Sequence, residues 1–220
     1  MGKTILTPKQ SYLVEQAAKN AEITQWYYLT GGTALAEFYL HHRLSEDLDF
    51  FTTSEVNNQK IQAFIDSLKA PAGITNYVVK KISGLYQYTL TFSDSESLKV
   101  DFNEYDYPQV EQGIVYGKLR IDSMYDIAIN KLESMCNRTK ARDYVDLYIL
   151  ISQNIFSMEQ LMMRVPEKFG HHWTTPQYIR AFFAVQEAKD FPTMLVPFSK
   201  EEMIKFYLAQ AKKLEPKIFK

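Results

Sequence analysis

Asp47 and Asp49 stand one residue apart in the run SEDLDFF, and shortly before them Gly31-Gly32-Thr33 closes the apolar run YYLT. On a strand, both carboxylates project to one face while Leu48 and Phe50 turn to the other. Two ionised carboxylates within about 7 Å repel, and a divalent cation between them is the simplest relief. Hard oxygen ligands suit Mg²⁺ or Mn²⁺. A solvent-facing strand edge would show the same Asp-x-Asp. A glycine pair between strand and helix leaves backbone N–H groups at the positive end of that helix, where anions bind. Without a Cβ, Gly31 and Gly32 let a phosphate come close. Thr33 adds a hydroxyl at the expected N-cap. An ordinary strand–helix turn uses glycine in the same way.

A third acid lies in LKVDF. Leu98, Val100 and Phe102 alternate with Lys99, Asp101 and Asn103, which puts Asp101 on the polar face of a strand. Beside DLDF, that strand would complete a three-carboxylate site for metals that clamp an in-line phosphoryl displacement. Lys131 falls on the apolar stripe of MYDIAINKLESM, formed by Met124, Ile127, Ala128, Leu132 and Met135. It either snorkels to solvent or reaches a cleft and meets triphosphate oxygens. Asp143 and Asp146 share a helix face one turn apart. They pair with Arg138 or Arg142, or contact a sugar or the lysine; a salt bridge is the plainer reading.

The elements that must hold these groups follow from periodicity and turn chemistry. TQWYYLT reads as a strand, TALAEFYLHH as a short helix and DLDFF as a strand. NNQKIQAFIDSLK reads as a helix with Ile61, Phe64, Ile65 and Leu68 on one face. Turns at Ser83-Gly84 and Asp94-Ser95 make NYVVKKIS, LYQYTLTFS and SLKVDFNEY an antiparallel meander. EQGIVYGKLRI adds one strand. From Asp122 onward five amphipathic helices follow, separated by Pro, Ser or Asn breaks. The expectation is an α+β chain with domains 1–120 and 121–220, the second helical.

A net charge of −1 advertises no strong field toward nucleic acid or membrane. The lone Cys136 excludes an internal disulfide framework, suits a reducing cytosol and is expected to be buried. No secretory h-region or apolar run of about 18 residues is present, so a cytoplasmic protein with no membrane partner is expected. MGKTIL matches a myristoylation start only faintly. His41-His42 and His171-His172 lack partners at metal-ligand spacing and read as packing or surface residues. The FFAVQ and KFYLAQ segments read as core faces. No Gly-x4-Gly-Lys occurs, which excludes a P-loop NTPase.

The ordered set LTGGTAL, HHRLSEDLDFF, LKVDF, NKLESM and RDYVDLYIL, within residues 24 to 150, resembles the AbiEii/AbiGii toxin family of nucleotidyltransferases. That family lies in the DNA-polymerase-beta-like nucleotidyltransferase superfamily. The resemblance implies a polymerase-beta-like palm, with a mixed β-sheet and flanking helices, followed by a helical C-terminal half. It implies that Gly32 and Thr33, with Gly31, hold nucleotide phosphates and that Asp47, Asp49 and Asp101 bind Mg²⁺. It also places Arg43 at a basic position before the acids, Lys131 near the triphosphate, and Asp143 or Asp146 in a late acidic motif. Thr33 stands where the superfamily often has serine, and the hydroxyl is kept. The implied reaction moves NMP from an NTP to an acceptor hydroxyl, with Asp101 as general base and Lys131 offsetting phosphate charge. RNA such as tRNA is the implied acceptor and an antitoxin the implied partner. The rivals are an inactive nucleotide- or partner-binding module and a nonenzymatic protein with surface acids.

Overall fold

The computed structural model describes residues 4–217; Gly2 of the MGKTIL opening lies outside them. Contacts divide the chain into two compact units, Met1–Ser123 and Met124–Lys220.

The first unit opens with α1 (Pro8–Lys19) and α2 (Ala21–Trp26). Thr7 accepts from the Gln10 amide while the Gln10 side chain caps Thr7, and Pro8 fills the first turn, where its missing N–H costs nothing. Then come β1 (Tyr28–Thr30), α3 (Gly31–Leu35) with a π-helical continuation over Ala36–Leu40, and β2 (Asp47–Thr52). α4 (Asn58–Ala72), β3 (Ile74–Ile82), β4 (Leu85–Phe92), β5 (Ser97–Glu104), β6 (Val115–Tyr116) and β7 (Leu119–Ile121) complete it.

Three expectations need correction. Thr24, Gln25 and Trp26 are helical, because the Asn20 side chain caps Ile23 and starts a turn that continues through the β-favouring Thr24 and Trp26. The strand is therefore only Tyr28–Thr30. The segment around Gly117 is a hairpin of two strands, with Tyr116 opposite Leu119 and Gly117 at φ +62° supplying the turn. The N-cap of α3 is Thr30, not Thr33.

The seven strands form one mixed sheet in the order β3-β4-β5-β2-β1-β7-β6. β2 pairs β5, and β1 pairs β7, in parallel; the other neighbours are antiparallel. Alternation along the strands divides the sheet into two faces. Leu48 and Phe50, Val100 and Phe102, and Tyr88 and Leu90 are buried. The Phe50 and Phe102 rings stack at 5.1 Å, and Tyr88 meets Phe102 edge-on. Ile61, Phe64, Ile65 and Leu68 of α4 are buried, as their spacing foretells. The residues between the core positions of β2 and β5 are left on the other face, and they include the acids.

The second unit holds α5 (Met124–Asn137), α6 (Ala141–Ser152), α7 (Met158–Phe169), α8 (Thr175–Phe183) and α9 (Lys200–Leu214). Tyr207 is its fully buried hinge of packing: its ring meets Tyr144 edge-on, and its hydroxyl donates to the Tyr144 carbonyl. Phe182 is buried as a core face requires, whereas Phe183 is 43% exposed. Among the described residues no helix is long and apolar enough to cross a membrane.

Candidate active site

β2 lies between β5 and β1, and this brings separate motifs into one row. Asp49 is opposite Asp101 on β5 and opposite Thr30 on β1, while Gln87 on β4 is opposite Asp101. Gln87, Asp101, Asp49 and Thr30 thus cross four strands on one face. Neighbouring strands are about 4.8 Å apart, so two half-buried carboxylates stand side by side. Gln87 Nε2 donates to Asp101 Oδ2 at 3.4 Å. Asp47 is one step along the same face, opposite Lys99, and their charged groups meet at 2.6 Å.

The glycine turn abuts this row. Gly31 has φ +74°, in the left-handed region, and a Cβ on it would fall 2.2 Å from Asp49 Oδ2. A Cβ on Gly32 would fall 2.4 Å from Nη2 of Arg43, whose side chain is buried and donates through Nη1 to the Leu44 carbonyl. The room the glycines leave is therefore filled by an acid on one side and a base on the other. Gly31→Ala is expected to cost about 1–2 kcal/mol through the backbone alone, with more from displacing Asp49. Thermal unfolding beside Gly117→Ala, also at positive φ but with only Ala18 within 4 Å of its Cβ, checks this: Gly31→Ala should lose the more.

Thr33 is fully buried, and its hydroxyl donates to the Asp47 carbonyl. It ties the helix to the start of β2 rather than capping α3. Thr30, at the actual N-cap, donates to Asp122 Oδ2 at 2.7 Å. The buried Asp122 also accepts from Gln109 Nε2 at 2.7 Å, and its carbonyl accepts from the Tyr39 hydroxyl at 2.8 Å. Asp122 thereby joins β1, the π-helical turn and the end of β7. Sequence reading missed it, and also the Lys99–Asp47 pair. Lys99 was readable as a face-mate of Asp101, but only the register reveals its partner.

Donor chemistry fits a hard divalent cation at Asp49 and Asp101, with Asp47 close by but engaged by Lys99. Among the described residues, no group of three or more His, Cys, Asp or Glu is arranged to hold a metal. His41 sits at φ 48° and His42 is buried. Cys136 is buried, and burial pushes its thiol up to about 12.

The other three residues expected in the site come together in the second unit. Lys131 Nζ lies 2.8 Å from Asp143 Oδ1 and 2.9 Å from Asp146 Oδ2, and Arg138 Nε lies 3.1 Å from Asp143 Oδ2. Lys131 does not snorkel: it is buried on its stripe, against two carboxylates of zero exposure. Burial pushes the Asp143 carboxyl up, but Lys131 and Arg138 outweigh it and hold the group below its ordinary range. A second buried pair, Lys168 with Asp126 at 2.6 Å, was not anticipated.

The chain is similar to several known proteins. It is 32% identical over 149 residues to the uncharacterized protein aq_aa25 of Aquifex aeolicus (strain VF5), a match spanning 65% of this chain and just under two thirds, 66%, of that one. In fold it is similar to JHP933 from Helicobacter pylori (22% identity, 94% of this chain and 90% of that one, TM-score 0.58). It is likewise similar to MenT4, the nucleotidyltransferase toxin Rv2826c of Mycobacterium tuberculosis H37Rv (17% identity, 96% and 86%, TM-score 0.57). The model of one family, described as nucleotidyl transferase AbiEii toxin of a type IV toxin–antitoxin system, matches residues 12–216. With nearly its whole length matched, this chain belongs to the AbiEii nucleotidyltransferase toxin family.

Proposed function

We propose that this protein transfers a nucleoside monophosphate from an NTP to an acceptor hydroxyl and releases pyrophosphate, as a toxin restrained by a cognate antitoxin. The observation that carries the reading is the register that sets Asp49 beside Asp101, with Gly31 against the Asp49 carboxylate. Asp49 and Asp101, joined by Asp47 once Lys99 releases it, would hold Mg²⁺ or Mn²⁺. The metal, when bound, supplies charge that acidifies the attacking hydroxyl and offsets that on the pyrophosphate.

The chain's own groups do the rest. Asp101, oriented by Gln87, takes the proton of the acceptor hydroxyl on its carboxylate. That oxygen bonds to the α-phosphorus as the bond to the β-phosphate oxygen breaks. Amide groups of the Gly31-Gly32 turn, with Thr33 fixing the helix on β2 and Arg43 packed behind, meet the polyphosphate. Lys131 is engaged by Asp143 and Asp146 inside the helical unit, where the three form a buried ion cluster. RNA, tRNA included, is the proposed acceptor, since hydroxyl-bearing strand ends are abundant there.

Incubating the protein with each α-labelled NTP, Mg²⁺ and total cellular RNA tests the reading. Label is expected on a discrete RNA species, with one pyrophosphate per nucleotide, and no label in EDTA. Heat of NTP binding without any pyrophosphate would overturn it in favour of a binding module.

A further inference from the structure

A cavity of about 630 Å³ opens in the helical unit between the end of α5 and the end of α8. Arg138 and Arg180 line it, with Phe183, Asn137, Gln186 and the single acid Glu187. Its floor is buried and fixed: Met135 and Ala181 are inaccessible, and the Tyr144 hydroxyl donates to the Ala181 carbonyl at 2.8 Å. Its rim is open, with the Arg138 side chain 49% and Phe183 43% exposed.

Arginines near helix C-termini are favoured by the macrodipole, which would account for the two cations alone. It does not account for a large phenyl ring kept at the surface of the same cavity. Nor does it explain the run Arg138-Thr139-Lys140-Ala141-Arg142, three cations in five residues of a chain whose net charge is −1. Guanidinium groups match phosphate with two parallel hydrogen bonds. An exposed aromatic ring stacks any base, and together they are the means by which single strands are held without sequence preference. The volume suits one nucleotide.

We propose that this cavity binds one nucleotide unit of a single-stranded RNA, its phosphate on Arg180 and on the Nη groups of Arg138, whose Nε stays on Asp143, and its base on Phe183, with the strand continuing past Thr139 toward Lys140. The proposal rests on the nucleotidyl-transfer reading, in which it is a subsite for the acceptor strand. An acidic peptide would use the arginines and leave the ring idle.

The test measures binding of a fluorescein-labelled octauridylate by anisotropy, without NTP or divalent metal, to the whole chain and to Arg180→Gln and Phe183→Ala. Both positions are exposed, and circular dichroism checks their folding. Each variant is expected to bind about tenfold more weakly. Arg180→Gln should also flatten the slope of log K against log salt by about 0.7. Octauridylate should bind more tightly than UMP, and hexaglutamate should compete poorly. Unchanged affinity in both variants, equal affinity for UMP, or equal competition by hexaglutamate overturns the site. Asp49→Asn should bind the strand as wild type does, so a failure of the reaction and a failure of this site are separate results.

Discussion

Asp49→Asn is expected to lower nucleotide incorporation by about three orders of magnitude while the fold stays intact. The magnitude follows from the several kcal/mol that a bound metal contributes to phosphoryl transfer, at 1.36 kcal/mol per tenfold. The intact fold follows from geometry. Asparagine keeps the shape that lies against Gly31, and it removes a negative charge one strand spacing from Asp101. Relief of that repulsion should leave the unfolding midpoint unchanged or slightly raised. The midpoint rise that Mg²⁺ and NTP together give the wild type should vanish, since a ligand stabilises only the state that binds it. Pyrophosphate release and thermal unfolding, measured on one preparation, check both halves. Activity within tenfold of wild type would remove Asp49 from the metal site. A lowered midpoint would make it a structural residue instead.

Much of this site was legible because strands have a short, strict period. Leu98, Val100 and Phe102 alternate with Lys99, Asp101 and Asn103, so the face of Asp101 could be read from six letters of chain. Its neighbour could not. That β5 lies beside β2, with Asp101 level with Asp49, is set by pairing between distant segments. The Lys99–Asp47 contact and the Asp122 network have the same cause, since Thr30 and Asp122 are 92 residues apart.

Local errors had local reasons. Thr24 and Trp26 carry β propensity, which yields to context more readily than helix propensity does; the Asn20 cap decided the outcome. α1 was readable and went unread: Thr7-Pro8-Lys9-Gln10 is a capping box with proline in the first turn. The hairpin at Gly117 had its glycine signal as well. The helical half was the plainest text, because its stripes recur over whole turns. Its ion cluster was foreshadowed by a lysine on an apolar stripe and two acids one turn apart.

That cluster carries the other large effect. Lys131→Met is expected to destabilise the protein by about 3–5 kcal/mol at neutral pH, because it leaves Asp143 and Asp146 buried without their shared cation. The loss should depend on pH. In the wild type burial raises the Asp143 carboxyl, yet Lys131 and Arg138 bring it below the ordinary value. A carboxyl lowered by folding contributes stability above its unfolded value, about 3.9, and loses it as pH falls through the folded one. Without Lys131, burial and the neighbouring Asp146 act against Arg138 alone, and the folded value moves above the unfolded one. The variant then gains stability on acidification from pH 7.5 to 5.0, where the wild type does not, so the gap between them narrows. Urea unfolding at the two pH values measures it; a gap that stays constant would mean that both acids remain charged in the folded variant. Lys131→Met combined with Asp143→Asn and Asp146→Asn should recover most of the stability, since amides tolerate burial better than unpaired carboxylates. If nucleotide incorporation stays absent in that repaired chain, the charged cluster of Lys131, Asp143 and Asp146 is needed for the reaction and not only for the fold.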